Sequence, residues 1–190
     1  MEKLSEAGKL YLQDFYILNE AQSDVFIFLD AVMNQVYQNL VEGIKDLSGR
    51  DDVFVWEAWK NESKPGRLDV WPSTKKEVIP FRKGKGDLYL ICRDVRHEAE
   101  LSDTASVSVT IRCTNYFLRS LRQVPSETLE LALKTAEEHG TGVDVNKRNM
   151  LYREEVKLNL DSVSDSVDSV TEFIMERCQG VREFALRIMK

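Results

Sequence analysis

The sequence lacks long apolar runs and the common catalytic signatures. Its longest apolar run, residues 25–29, is far shorter than the about 20 residues that a membrane-spanning helix needs. The first residues mix acidic with apolar side chains and show no secretory signal, so we expect neither export nor a membrane partner. There is no phosphate-binding loop, nucleophile elbow, zinc-protease motif or complete dinucleotide fingerprint, and we therefore predict no cofactor and no metal.

Cysteine is also scarce. The three cysteines, Cys92, Cys113 and Cys178, form an odd set without CxxC or Cys/His spacing. Two of them fall in patterns typical of buried strands, so we predict reduced thiols in the core. The lack of a disulfide framework favours a cytoplasmic location.

The composition predicts one globular domain. The 190 residues are 43% hydrophobic and 31% charged, which is typical of a folded protein, and we expect a single α+β domain over residues 1–190. A net charge of -6 excludes a surface that is uniformly suited to nucleic acid.

The N-terminal segment has a long apolar stripe at helical spacing. The stripe covers residues 4–47 and Gly49 follows it as a stop signal. A single rod of this length would measure roughly 65 Å, whereas a compact domain of this size is about 40 Å across. One interpretation is a break near residues 19–24, with Ser23 starting a second helix. The other is a helix that projects and pairs with another subunit, which would make the protein a homo-oligomer.

After Gly49 the apolar period changes from 3.6 to 2. Residues 53–59 are apolar on both faces except for Glu57, a pattern typical of a central strand. Three further strand candidates cover residues 88–95, 105–113 and 150–160. The clearest alternation is in residues 105–113, where serine, threonine and Arg112 face away from the apolar side and predict one solvated sheet face.

Two more helices complete the predicted fold. Ser126 and Gly140 bound a helical apolar pattern between the last two strands. The C-terminal helix, residues 161–190, opens at Asp161 or Ser162. We predict an α+β fold with a mostly antiparallel sheet of four to five strands. The long N- and C-terminal helices would pack on one face, with a shorter helix between the last two strands.

The stretch of residues 60–85 is unusually basic. It has eight basic and three acidic residues, a local charge of +5 that leaves -11 for the remainder. Three of the four prolines lie in it, and we predict a long loop with only a short strand at residues 67–71. Basic and tryptophan side chains could bind an anionic partner, either nucleic acid or an acidic protein surface. The candidate residues are Trp59, Arg67, Trp71, Lys75, Lys76, Arg82, Lys83 and Lys85.

Another interpretation of this stretch remains open. The lysines could merely solvate a sheet edge while the tryptophans lie in the core. Residues 82–87, with two glycines, could form either a hairpin turn or a nest of backbone N–H groups that binds an anion.

Glu155 and Lys157 lie two residues apart on a predicted strand and therefore on one face. This ExK spacing resembles the PD-(D/E)xK nucleases, which use it to hold a metal and orient water. The resemblance implies a metal-dependent nuclease, with Asp87 or Asp94 as the acidic residue on a preceding strand. It covers only these positions, and it departs from the family because a strand and a helix intervene.

Two other hypotheses concern chemistry and ligands. Residues 93–100 collect arginine, aspartate, histidine and glutamate after a strand, which predicts either an acid-base site or a surface ion-pair cluster. An apolar pocket between sheet and helices would define a small-ligand sensor. The interpretation we favour is a non-enzymatic interaction or regulatory protein. It would self-associate through its terminal helices and bind an anionic partner through the basic stretch.

Overall fold

The structure is a computed structural model that describes residues 5–49, 53–60, 66–94, 105–145 and 150–189. The helices of these residues are α1 (Glu6–Gly49), α2 (Asn115–Leu121), α3 (Ser126–Glu138) and α4 (Val163–Ile188). The strands are β1 (Phe54–Lys60), β2 (Arg67–Thr74), β3 (Leu88–Asp94), β4 (Ser106–Cys113) and β5 (Met150–Lys157). The predicted α+β class and the helix between the last two strands are confirmed, and the short helix α2 was not predicted.

The five strands form an antiparallel meander in the order β1-β2-β3-β4-β5. The prediction that residues 53–59 form a central strand is wrong, because β1 lies at the edge of the sheet. Phe54 and Trp56 point into the core, whereas Val55 and Trp59 on the other face are 40% and 49% exposed. The apolar residues on both faces of β1 thus reflect an exposed hydrophobic surface.

The terminal helices pack together on one face of the sheet, as predicted. The side chain of Met175 in α4 lies against Gly43 in α1, only 3.1 Å from where a Cβ would be. Ser162 caps α4 by accepting a hydrogen bond from the backbone N–H of Asp165 at 3.2 Å. A continuous apolar face of α4 is buried in the core, including Val170, Ile174 and Phe184.

α1 is one unbroken helix, so the predicted break near residues 19–24 is wrong. No glycine or proline occurs between Gly8 and Gly43, and the polar residues of the proposed break cost only tenths of a kcal/mol each in a helix. Only the later part of α1 joins the core, beginning at Leu29. None of the described helices has the length and apolar composition needed to cross a membrane.

The basic stretch is more ordered than predicted. Its short strand candidate is the eight-residue β2, which pairs with β1 from Leu68 to Thr74. Pro72 is tolerated because the ladder between β2 and β3 stops at Val70, so this part of β2 is paired on one side only, as proline requires. Residues 61–65 lie outside the described residues. Residues 75–87, called the basic turn below, connect β2 to β3.

The three thiols are free and buried, which confirms the prediction for the cysteines. Burial raises the pKa of Cys113 to about 12 and also raises the pKa values of Cys92 and Cys178. These side chains are therefore protonated at neutral pH and shielded from thiol reagents.

The loop after α3 lies directly on α4. α3 ends before Gly140, which adopts a φ of 68° as expected of a stop residue. The next residue, Thr141, is fully buried, and its Oγ1 would lie 2.2 Å from a Cβ at Gly180. Gly180 is thus required for close packing in the middle of α4.

We expect Gly180→Ala to lower the free energy of unfolding by about 1–2 kcal/mol, because the clash with Thr141 exceeds the helix-propensity gain of about 1 kcal/mol. The matched control is Gly142→Ala, since no atom lies within 4 Å of a Cβ there. Urea unfolding of both variants measures the difference. Equal stability of the two variants would show that the close approach of Thr141 to Gly180 does not restrict the side chain at position 180.

Candidate functional site on the open sheet face

One face of the sheet is packed against the helices, and the opposite face is called the open face below. Because side chains alternate along a strand, the residues between the core positions belong to it. Its centre is buried, for example at Asp69, Ile91 and Ser108, whereas the side chains at its periphery are half-buried or exposed. The peripheral residues include Glu57, Trp59, Arg67, Trp71, Tyr89, Arg93, Arg112, Arg153, Glu155 and Lys157.

Three aromatic residues lie near each other on the open face. Trp59 pairs with Asp69, two residues from Trp71, so the two tryptophans are diagonal neighbours with Cα atoms about 8 Å apart. Tyr89 lies on the neighbouring strand, next to Leu90, which pairs with Val70 at the end of the β2–β3 ladder. Gly86 supports the Trp71 ring, whose Cδ1 would be 2.9 Å from a Cβ there. The interpretation that places Trp59 and Trp71 in the core is wrong, and Trp56 is the tryptophan found there.

Several cations of the open face have no acidic partner among the described residues. Arg67 pairs with the buried Asp69 at 3.0 Å, and Arg153 pairs with Glu155 at 2.8 Å. In the described part of the chain, Arg93, Arg112 and Lys157 have no ion pair. Arg112 lies directly opposite Tyr89 in the sheet register, so a cation borders the aromatic cluster.

The buried centre contains one unsatisfied hydroxyl. Ser108 lies between Arg93 and Glu155 in the sheet register. Its Oγ is buried and has no hydrogen-bond partner among the described residues. A polar group of this kind is satisfied by a water molecule or a ligand.

The basic turn is held in place by Asp87. This carboxylate is fully buried and accepts hydrogen bonds from the Arg82 backbone N–H at 2.8 Å and from Thr114 Oγ1 at 2.8 Å. The Arg82 guanidinium donates to the same carboxylate and lies 4.7 Å from the ring centroid of Tyr116. The hydrogen bond to Asp87 raises the pKa of Arg82.

These contacts divide the predicted basic residues into two groups. Arg82 has a structural role, because its guanidinium is bound by Asp87. Phe81 anchors the same turn in the core through edge contacts with Phe54 and Phe117, at centroid distances of 5.7 and 5.1 Å. The remaining basic residues of the turn are exposed: Lys75, Lys76, Lys83 and Lys85.

The structure does not bring together the four residues on which the resemblance to the PD-(D/E)xK nucleases rests, Asp87, Asp94, Glu155 and Lys157. Glu155 and Lys157 lie on the open face, but Asp94 pairs with the core residue Val107 and so belongs to the helix-covered face. Asp87 precedes β3 at the far end of the sheet, about 20 Å along the strands from Glu155. Its oxygens are also occupied by the contacts described above.

Other predicted chemistry finds little support in the described residues. No group of three or more His, Cys, Asp or Glu side chains able to hold a metal ion occurs within residues 5–49, 53–60, 66–94, 105–145 and 150–189. The acid-base hypothesis concerned residues 93–100, of which only Arg93 and Asp94 are described. His139 is the C-cap of α3, where its Nδ1 lies 2.9 Å from the Thr135 carbonyl oxygen.

Comparisons with known proteins identify no relative. No family model matches the chain, and no curated protein and no solved structure matches it.

We expect Asp87→Ala to lower the free energy of unfolding by about 2–4 kcal/mol, because the backbone N–H of Arg82 and the hydroxyl of Thr114 both lose their acceptor. The control is Lys85→Ala in the same turn, whose exposed side chain should contribute less than about 0.5 kcal/mol. Thermal and urea unfolding give the comparison. If Asp87→Ala is as stable as the control, the carboxylate does not organise the turn.

Proposed function

We propose that this protein binds single-stranded nucleic acid on the open face of its sheet, with the basic turn extending the site at one end. The observation that supports this most is the group of Trp59, Trp71 and Tyr89 beside Arg112, in which Trp59 is exposed while Trp71 and Tyr89 are half-buried. Aromatic rings on a sheet surface stack on unpaired bases, and neighbouring cations neutralise phosphates. The proposed activity is binding without catalysis, as expected for an interaction or regulatory protein.

The charge distribution supports the same partner. The open face and the basic turn together have ten basic and five acidic residues, a local charge of +5, although the chain as a whole has -6. A polyanion would therefore be attracted to this surface and repelled by the rest. The three buried free thiols support an intracellular setting for this function.

Stacking is favoured over a purely electrostatic contact by the position of the tryptophans. Trp59 is half exposed on an edge strand, and neither Trp59 nor Trp71 makes a ring contact or side-chain hydrogen bond within the described part of the chain. An acidic protein surface would use the cations but would leave these indoles without a matching group. A nucleic-acid strand would use both.

Removal of two unpaired cations from the open face should weaken binding. We expect Arg112→Gln/Lys157→Gln to bind a fluorescein-labelled 20-nucleotide oligouridylate at least about 10-fold more weakly at low salt. The slope of the logarithm of the binding constant against the logarithm of the salt concentration should become less steep by about 0.7 for each phosphate contact that is lost. The control is Arg122→Gln/Lys134→Gln, which removes the same charges from the helix layer. Fluorescence anisotropy gives both affinities.

Three outcomes would contradict this prediction. The first is no binding by the unaltered protein at 50 mM salt. The second is an equal loss in both double variants. The third is complete competition by polyglutamate at equal charge concentration, which would identify an acidic protein surface as the partner.

Removal of one aromatic ring tests stacking separately from charge. We expect Trp59→Ala to weaken oligouridylate binding by about 5- to 100-fold, since each base stacked on a ring contributes roughly 1–3 kcal/mol. Val55→Ala is the matched control, because Val55 lies on the same face of the same strand with similar exposure. Unchanged affinity of Trp59→Ala would exclude the aromatic cluster from the site.

A further inference from the structure

The projecting part of α1 exposes an unusual amount of apolar surface. Large apolar side chains between residues 10 and 18 are all at least 45% exposed. They are Leu10, Tyr11, Leu12, Phe15, Tyr16, Ile17 and Leu18. Contiguous apolar surface of this kind marks an interaction site. The other terminal helix, α4, buries its apolar face within the domain, so only α1 offers such a surface among the described helices.

The exposed stripe continues the buried one. In the core, Leu29, Val32 and Val36 follow one another at alternating steps of three and four residues. Stepping back from Leu29 in the same way gives Val25, Gln22, Leu18, Phe15, Tyr11 and Gly8. This 3.5-residue repeat is the pattern of a helix that packs against another helix in a coiled coil. The exposed apolar residues therefore belong to the same stripe of α1 as Leu29, Val32 and Val36, which are buried in the core.

The position of α4 limits how a second helix can lie on this stripe. α1 and α4 run in the same direction. Along α1, Asn34 contacts Lys60 and the later Ser48 contacts Trp56, so α1 runs away from the end of the sheet where Lys60 lies. α4 also starts from that end, because it follows β5. Met175, twelve residues into α4, contacts Gly43. The start of α4 thus lies near residue 31 of α1, where burial of the stripe begins.

We propose that residues 6–28 of α1 pair in an antiparallel manner with the same segment of a second copy of this chain. A parallel partner lying on the stripe would run into the start of α4. In an antiparallel pair the N-terminal end of the partner's α1 would lie near residue 28, so the partner helix would stop before it reached α4. Phe15 would then face Leu18 of the second copy, and Gly8 would face Val25.

The interface between the two paired helices is called the seam below, and the charged residues of the segment are compatible with it. Glu6, Lys9, Glu20 and Asp24 all lie at positions that the 3.5-residue repeat places away from the seam. Asp14 borders the seam and would face Ala21 of the second copy. No like charges are therefore brought together by the antiparallel register.

The size of the seam predicts a moderate affinity. Residues 6–28 extend for about 35 Å, and a helix presents a face about 10 Å wide. The pair would remove on the order of 1,000 Å² in total from water, at the lower limit for a specific interface. We therefore expect a dimer that dissociates in the micromolar range.

The first experiment compares two matched double variants of the full chain by analytical ultracentrifugation. Tyr11→Glu/Leu18→Glu places charges in the seam, whereas Tyr16→Glu/Ile27→Glu places the same charges on the other side of the helix. The replaced side chains have almost equal exposures, 69% and 68% in the first variant against 71% and 67% in the second. We expect the first to weaken dimerisation more than about 100-fold and the second to change it less than about 3-fold.

The second experiment determines the orientation with spin labels on Glu6→Cys and, separately, Glu20→Cys. The native thiols stay unlabelled because they are buried and protonated. In the antiparallel dimer the distance between labels should be about 15 Å longer at position 6 than at position 20, whereas a parallel dimer gives equal distances.

A monomer up to several hundred micromolar would overturn the proposal. So would an equal effect of the two double variants, or equal label distances at the two positions. The oligonucleotide assays are independent of these results, because the seam shares no residue with the open face.

Discussion

The described helices bury their apolar stripes on the same side of a five-stranded meander, and the rest of the structure depends on this one-sided packing. Strand alternation commits every second side chain to that core, including Leu90, Val109 and Ile111. The remaining side chains form the open face. The 44-residue helix α1 is longer than the sheet face on which it packs, so its N-terminal part extends beyond the domain.

The basic turn illustrates how one buried carboxylate can position several exposed cations. Asp87 neutralises Arg82 and fixes the backbone of the turn, and Phe81 anchors it in the core. The turn lies at the end of the sheet, where its Gly86 contacts the Trp71 ring. A charged loop that looks like a solvated connection in the sequence is thus a fixed border of the proposed site.

Local patterns in the sequence predict the class, the strands and most of the helices, but not the relations between them. The alternation in residues 105–113 places Arg112 on the correct face, yet nothing local shows that Tyr89 lies opposite it. The same limit explains the wrong assignment of β1 as a central strand, because exposed and buried tryptophans look alike in a sequence. Polar residues within α1 resemble a break, although uninterrupted hydrogen bonding along the helix costs less than two new ends.

The three tryptophans distinguish binding of single-stranded nucleic acid on the open face from binding elsewhere on the protein. Trp59 and Trp71 lie on that face, whereas Trp56 is buried in the core. The measurement is an NMR titration of the three indole N–H signals with oligouridylate. We expect the signals of Trp59 and Trp71 to shift progressively while that of Trp56 stays in place. Binding that leaves the Trp59 and Trp71 signals unchanged would contradict it.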